Sequence, residues 1–493
     1  MPASKIPAEI NKCRPGPCTE IKCINGHYYV YMYTSVKLPS GNWGKKTGKS
    51  IGTIIPGKGF VPNRNYGLYS GEESSDDITV LEYGQYALVQ EIAKDVLESL
   101  EKQFPIDRAA QIFSYACILF ANGFTHIDQI QSYYEQSWLS HENSMFTFGM
   151  GKTALSSLLD DLGRRTKRVT DYELAALAES SSAIAIDGHA IRSCSDENDL
   201  GEGGYKFNTL KEDQVNLLMG YDINTHMPLF ARMFRGSCND KSTIEDLNGL
   251  LNFSGVLFVV DRGFYSRTNL DIFSANDNTY VIPVPSNTDV FTNAMVQVAY
   301  EDSFYYRSGK KHARIEYMAK RISDLEYVYV FRDIDENEKC RFNYLHNIEL
   351  GKNGYTMEKF EQSKETFGVY VLQSNSEMSA EQIFSSYKKR WGIETLYQYI
   401  KNKGDFNDLK IQDYYKEQGV SFMMLVTGQI HQKMIAAIKS LDDNTISVHD
   451  IMLMARCMKM ERRGNSWNLR NTRKRDLEIL KKLGFTPTLV VND

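Results

Sequence analysis

Two short, unbroken apolar runs that each end in an aspartate constrain this chain more than any other feature. Residues 183–187 read AIAID and residues 256–261 read VLFVVD. Runs of four or five apolar residues without alternation are the pattern of strands covered on both faces of a sheet. An ionised carboxylate at the rim of such a sheet is costly to desolvate unless a cation or hydrogen-bond donors meet it. Two of them, Asp187 and Asp261, call for a shared positive partner.

Around these runs the middle of the chain alternates in α/β fashion. Val215 to Tyr221 and Leu229 to Phe234 flank the turn Asp222-Ile-Asn-Thr and read as antiparallel strands. Ser242 to Leu251 reads as a helix and Tyr280 to Val284 as a further strand. Three adjacent strands, a helix, a strand, a helix and a strand are the order of a ribonuclease H-like sheet. There the first and fourth strands are neighbours, so Asp187 and Asp261 are expected to converge on a divalent metal.

At 493 residues the chain is too long for one core, because cores stop growing near ~250 residues. With 42% apolar and 24% charged residues it is neither disordered nor fibrous. The expected fold class is α/β: a ribonuclease H-like catalytic core carrying an inserted β subdomain. The expected units are a β-rich N-terminal unit over 1–85, a helical module over 86–178 that is a candidate for DNA-end binding, a catalytic domain over 179–430, and a helical basic region over 431–493. The insertion spans about 286–365, where Ala313 to Met318 and Glu326 to Arg332 read as strands. No apolar stretch approaches the ~20 residues of a bilayer span, and the N-terminus lacks a signal-peptide pattern, so a cytoplasmic protein without a membrane partner is expected. The eight cysteines are scattered and are read as reduced thiols. Cys13, Cys18, Cys23 and His27 lack zinc-site spacing.

The third carboxylate is Glu394. Ser379 to Lys401 reads as one long helix with Ser379 as cap and Glu381 in the first turn. At ~100° per residue, Tyr387, Arg390, Glu394 and Lys401 stand at about 0°, −60°, −20° and −40°, one narrow face. A tyrosine, two cations and a carboxylate on one stripe cannot be an apolar core face. A solvated Arg390–Glu394 pair gives no reason for the tyrosine and second cation to align. A metal ligand flanked by phosphate-binding groups does.

Tyr387-x2-Arg390-x3-Glu394-x6-Lys401 resembles the Y-R-E-K signature of the insertion-sequence transposases of family four. That family is a branch of the DDE superfamily that includes retroviral integrases. Ile186-Asp187-Gly188, closing the first strand, and Asp261-Arg262-Gly263-Phe264 are similar to the family's aspartate contexts, and the likeness covers roughly residues 180–430. The resemblance implies a DNA transposase in which Asp187, Asp261 and Glu394 hold two Mg2+ ions, with Mn2+ able to substitute. It implies that Tyr387, Arg390, Lys401 and Arg262 bind DNA, the Arg residues gripping phosphate. The implied partners are the element's terminal inverted repeats, target DNA and a second copy of the chain on paired ends. A decayed or domesticated copy that binds DNA without cutting it is the alternative.

Several further groups are candidates on weaker grounds. His189 and Arg192 follow Asp187 closely; Phe304, Tyr305 and Tyr306 are aromatics of the insertion for stacking on a displaced base. The net charge of −5 counts against a uniformly basic, DNA-coating surface. Cations instead crowd three segments: Lys45, Lys46, Lys49 and Lys58; Lys388, Lys389, Arg390, Lys401 and Lys403; and the run from Arg456 to Arg475 around Trp467. The last holds eight cations against the single acid Glu461 and is a candidate DNA contact.

Overall fold

A computed structural model describes residues 6–37, 43–63, 65–66, 79–123, 125–195, 197–204, 206, 212–238, 240–296, 298–308, 311–402, 408–441 and 445–492. The chain divides into two compact units. One comprises Met1–Leu81, Met460–Arg470 and Thr488–Asp493; the other comprises Glu82–Lys459 and Asn471–Pro487.

The smaller unit is built on an antiparallel meander of β1 (Thr19–Ile24), β2 (His27–Lys37), β3 (Trp43–Ile55) and β4 (Gly59–Pro62). Asn25 and Gly26 both adopt positive φ, 51° and 80°, which closes β1 on β2 in the two-residue turn that suits strand twist. One face buries Ile21, Val30, Ile51 and Ile54 beneath Ile10. A second sheet has the order β19-β18-β17-β5, with β5 at Thr79–Glu82, β17 at Lys459–Arg463, β18 at Ser466–Arg470 and β19 at Val490–Asn492. The C-terminal region expected to be helical thus holds three strands besides its helices Val448–Arg456 and Lys474–Lys482. Trp467 supplies the apolar anchor that a purely charged helix would lack: it is 4% exposed.

The larger unit begins with helices from Gly84 to Ala178 and continues into a wide sheet. β6 (Ala183–Ser193), β8 (Asp213–Asp222) and β9 (Pro228–Arg235) are antiparallel neighbours. β10 (Leu257–Val260) joins the other side of β6 in parallel, and β11 (Thr279–Pro283) joins β10 in parallel. Short β7 (Glu202–Gly203) pairs with β8. One face of this sheet is sealed by a cluster including Ile184, Ile186, Val260, Leu247 and Phe273, the last two from the helices Asp240–Leu251 and Arg267–Ser274.

The strands of residues 286–365 do not make a sheet of their own. β12 (Asp302–Ser308), β13 (Lys311–Ser323) and β14 (Glu326–Asp333) extend the central sheet, because β15 (Val369–Ser374) pairs with β14 on one side and β11 on the other. The physical reason lies in β14, whose Val328, Tyr329, Val330 and Phe331 are all buried. Both of its faces are covered, which an exposed subdomain could not provide.

The helix Tyr414–Lys439 lies against β9, with Gln418 bonded to both the N–H and the carbonyl of Met233. Glycine permits its contact with the helix Lys152–Arg164: a Cβ at Gly163 would stand 1.8 Å from the Tyr415 carbonyl oxygen. No described helix is long and apolar enough to cross a membrane.

Candidate active site

Parallel register brings the two aspartates together. Val260 of β10 pairs with Ile186 of β6, so Asp261 and Asp187 are the next residues on strands about 4.8 Å apart. Their predecessors are buried on the core side, so alternation turns the aspartates the other way. β6 does not end at Asp187, as its burial pattern suggests; it runs on to Ser193, held by pairing with β8 as far as Arg192 opposite Gln214.

Glu394 arrives on a helix that begins with a capping box formed by Ser379 and Gln382. The expected single helix is two segments, Ala380–Lys389 and Trp391–Asn402, meeting at Arg390. Three-residue bonds tighten the chain there, from Arg390 N–H to Tyr387 and from Ile393 N–H to Arg390. Gly392 lets the second segment seat against β8, since a Cβ would meet the Tyr221 hydroxyl at 2.6 Å.

Arg390 stands at the centre of the three acids. Its Nη2 lies 2.7 Å from Glu394 Oε1 and 3.9 Å from Asp261 Oδ1, and its Nη1 is 3.9 Å from Asp187 Oδ2. The residue is only 7% exposed, and its Nε has no hydrogen-bond partner. Burial pulls the guanidinium towards neutrality, but Asp261, Asp187, Tyr387 and Glu394 together hold its pKa above the usual value. For Asp187, burial pushes the carboxyl up to about 7; Arg390 opposes that shift, while Asp261 and Glu394 add to it. One guanidinium therefore does not neutralise the set.

Tyr387 lies within this group, its ring centroid 5.7 Å from the Arg390 guanidinium. Burial raises its hydroxyl pKa. Lys401 is exposed on the following segment. Its charge and that of Lys206, after burial, depress His189 to about 4. His189 stacks on Tyr397 at 5.0 Å, leaving it a neutral packing group at physiological pH. Arg192 pairs with Glu212 at 3.2 Å. Arg262 sits exposed on the short turn Arg262–Phe264 that follows Asp261. Of the three insertion aromatics, Phe304 and Tyr306 pack on Phe384, while Tyr305 is 68% exposed. Lys403 lies outside the described residues.

Two residues escaped sequence reasoning. The Tyr397 hydroxyl donates to the Asp187 carbonyl at 2.7 Å, tying the Glu394 helix to β6. Its signal was its place three residues after Glu394, on an adjoining face. Lys206 feels the Asp187 charge, which opposes the lowering of its ammonium pKa by burial and by Lys401, and a lone loop lysine carries no such signal. In the C-terminal cluster, Arg463 and Arg470 both pair with Glu461, and Arg462 lies over the Trp467 ring at 5.9 Å, so part of that charge serves the fold.

The sequence profile of the transposase DDE domain matches residues 178–427, the segment that carries all three acids. The chain belongs to the DDE transposase family. Among solved structures, a cryo-EM structure of the piggyBac transposase synaptic complex with hairpin DNA matches at 11% identity and TM-score 0.38. The match covers 82% of this chain and 80% of that chain, too loose for residue correspondences. A search of curated proteins found no match. Family membership makes the chain a DNA-binding transposase of the polynucleotidyl-transferase type, and such enzymes use divalent metal ions.

The donor set fits that chemistry, since three carboxylates are the hard oxygen ligands that divalent cations such as Mg2+ and Mn2+ prefer. As the side chains stand, no group of three or more His, Cys, Asp or Glu among the described residues is arranged to hold a metal. The Arg390 guanidinium occupies the middle of the set instead.

Proposed function

We propose that this transposase cuts DNA at the ends of an insertion sequence and joins them to a target, using Asp187, Asp261 and Glu394 as metal ligands on a ribonuclease H-like core. The observation that carries the reading is the meeting of these three acids, two from neighbouring parallel strands and one from a late helix, on one buried guanidinium. The strand order β9-β8-β6-β10-β11 supports the ribonuclease H-like part. Bound Mg2+, with Mn2+ as substitute, would supply the charge that activates water or a 3′-hydroxyl and stabilises the leaving oxygen.

The chain's own residues do the positioning that phosphoryl transfer chiefly requires. Asp187 is fixed by β6 and by the Tyr397 bond to its carbonyl. Glu394 is fixed by the seating of Gly392 on Tyr221. Arg390, released from the acids, would take a backbone phosphate through two parallel N–H bonds. Tyr387, beside Arg390, contacts the same backbone. Lys401 and Arg262, both exposed, add phosphate contacts along the flanks. We assign the element's terminal repeats and target DNA as substrates, a dimer of the chain on paired ends as the acting species, and the cytoplasm as its location.

Incubation of the purified protein with duplexes ending in the element's repeats and Mg2+ tests this reading. Native protein should nick and join the DNA, whereas Glu394→Gln should bind it and yield no product. Equal product from both proteins would remove Glu394 from the reaction.

A further inference from the structure

From residue 21 to residue 71 the sequence contains no aspartate or glutamate, yet holds Lys22, Lys37, Lys45, Lys46, Lys49, Lys58 and Arg64. In a chain of net charge −5, this segment is strongly cationic. Most of it folds as the meander of the smaller unit. β1 covers β2 only from His27 to Met32, so beyond Tyr33 the strands β2 and β3 continue as a two-stranded ribbon, Thr34–Lys37 against Trp43–Lys46.

The ribbon has two different faces. Cross-strand pairing puts Tyr33 with Thr47, Ser35 with Lys45 and Lys37 with Trp43 on one face, and Thr34 with Lys46 and Val36 with Gly44 on the other. The first face continues down β2 through Tyr31 and Tyr29, opposite the side that buries Val30 and Met32. Lys45 lies 4.3 Å from the Tyr33 ring and Lys22 lies 5.2 Å from that of Tyr31. Lys22 is offset by Glu20 at 3.2 Å. Lys37, Lys45, Ser35, Thr47 and Trp43 are exposed, Trp43 at 73%.

A two-stranded ribbon without a buried face is marginal in water, so its composition needs a reason other than folding. Lysines on an exposed edge also discourage strand-to-strand aggregation. Edge protection needs only a few such charges, whereas here one sign alone occurs over fifty-one residues. Glu20 lies at the base of this face, opposite Tyr31, but beyond it the only charges the ribbon carries there are Lys37 and Lys45. These charges, with the Ser35 hydroxyl and the exposed Trp43 ring, complement a polyanion whose major groove admits such a ribbon.

We propose that the β2–β3 ribbon is a duplex-DNA-binding arm. It lays Lys37, Lys45, Ser35 and Trp43 along the helix, with both ammonium groups on backbone phosphates. The proposal rests on the transposase reading for its ligand and uses none of the carboxylate-site residues.

Fluorescence anisotropy of the full chain on a labelled duplex, over a range of salt concentrations, tests it. Each phosphate contact contributes about 0.9 to the slope of log K against log salt on duplex DNA. Lys37→Gln/Lys45→Gln should lower that slope by about 1.8 and weaken binding roughly tenfold at fixed salt. Lys46→Gln, on the opposite face, should change the slope by less than about 0.5. An unchanged slope in the double variant overturns the arm, as does an equal loss from Lys46→Gln alone. Tighter binding of the matching single strand, with the double variant losing affinity only there, overturns the duplex assignment. Native protein that binds and cuts while the double variant binds identically sinks the arm alone; native protein that binds no DNA sinks the transposase reading as well.

Discussion

The carboxylate site and the β2–β3 ribbon handle charge in opposite ways. At the first, three acids and one guanidinium are packed into a half-buried space, and burial raises both the Asp187 carboxyl and the Tyr387 hydroxyl above their usual ranges. At the second, lysines of one sign stand in solvent along a strand pair. Desolvated charges interact strongly, whereas solvated charges are screened and act weakly. The contrast separates cutting from holding: chemistry needs the first arrangement and reversible grip needs the second.

The sharpest way to break that contrast is Asp261→Asn. Cleavage per bound complex should fall roughly 10^3-fold or more, while the duplex dissociation constant shifts by less than about threefold. Loss of binding on the same scale as loss of cutting would merge the two functions into one site.

The next largest effect concerns stability. Glu173, fully buried, pairs with the Arg232 guanidinium and accepts the Ala231 N–H at 3.2 Å, joining the helix Thr166–Ala178 to β9. Glu173→Ala should destabilise the protein by about 3–5 kcal/mol in urea titration, because it strands a nearly buried charge. Lys45→Ala in the ribbon should cost less than about 0.5 kcal/mol. Comparable losses from the two would erase the distinction drawn above.

Arg390→Ala probes the site without reference to turnover. Removing the shared cation leaves three acids facing one another, so the metal-free variant should melt below the native protein. Mn2+ should then stabilise the variant by about 2 kcal/mol more than it stabilises the native chain. Equal metal-induced shifts by calorimetry would show that Arg390 and the metal do not compete.

The smallest effect is titrational. Glu417 is buried, accepts Asn198 Nδ2 at 2.6 Å on one oxygen and has no hydrogen-bond partner on the other. Burial raises its carboxyl from the ordinary 4.5 to about 7. The folded state therefore binds the proton more tightly, so this contribution is full below about pH 4.5 and is lost as pH rises through about 7. Between pH 5 and pH 8 the native protein should lose roughly 1–2 kcal/mol relative to Glu417→Gln. Parallel stability profiles would show that Glu417 is not the titrating group.

How much of this was legible beforehand differs by element. The apolar runs ending at Asp187 and Asp261 and the helical stripe of Tyr387, Arg390 and Glu394 could be read directly, because sheet burial and helical pitch are local periodicities. The length of β6 could not, since residues 188–193 are held as strand by pairing with β8 rather than by their own pattern. The merging of β12–β14 with the central sheet was equally hidden. It follows from β15 serving two neighbours, a choice made by contacts distant in sequence.

Sequence by itself determined which residue types stand at the ends of apolar strands and on one side of a helix, and thereby the kind of chemistry available. Tertiary structure alone decided that Arg390 sits among all three acids, that Tyr397 ties the Glu394 helix to β6, and that the helix breaks at Arg390 with Gly392 seated on Tyr221. Local periodicity is fixed by backbone geometry. The distance between groups far apart in the chain is fixed only when strands choose their neighbours and a helix finds its seat.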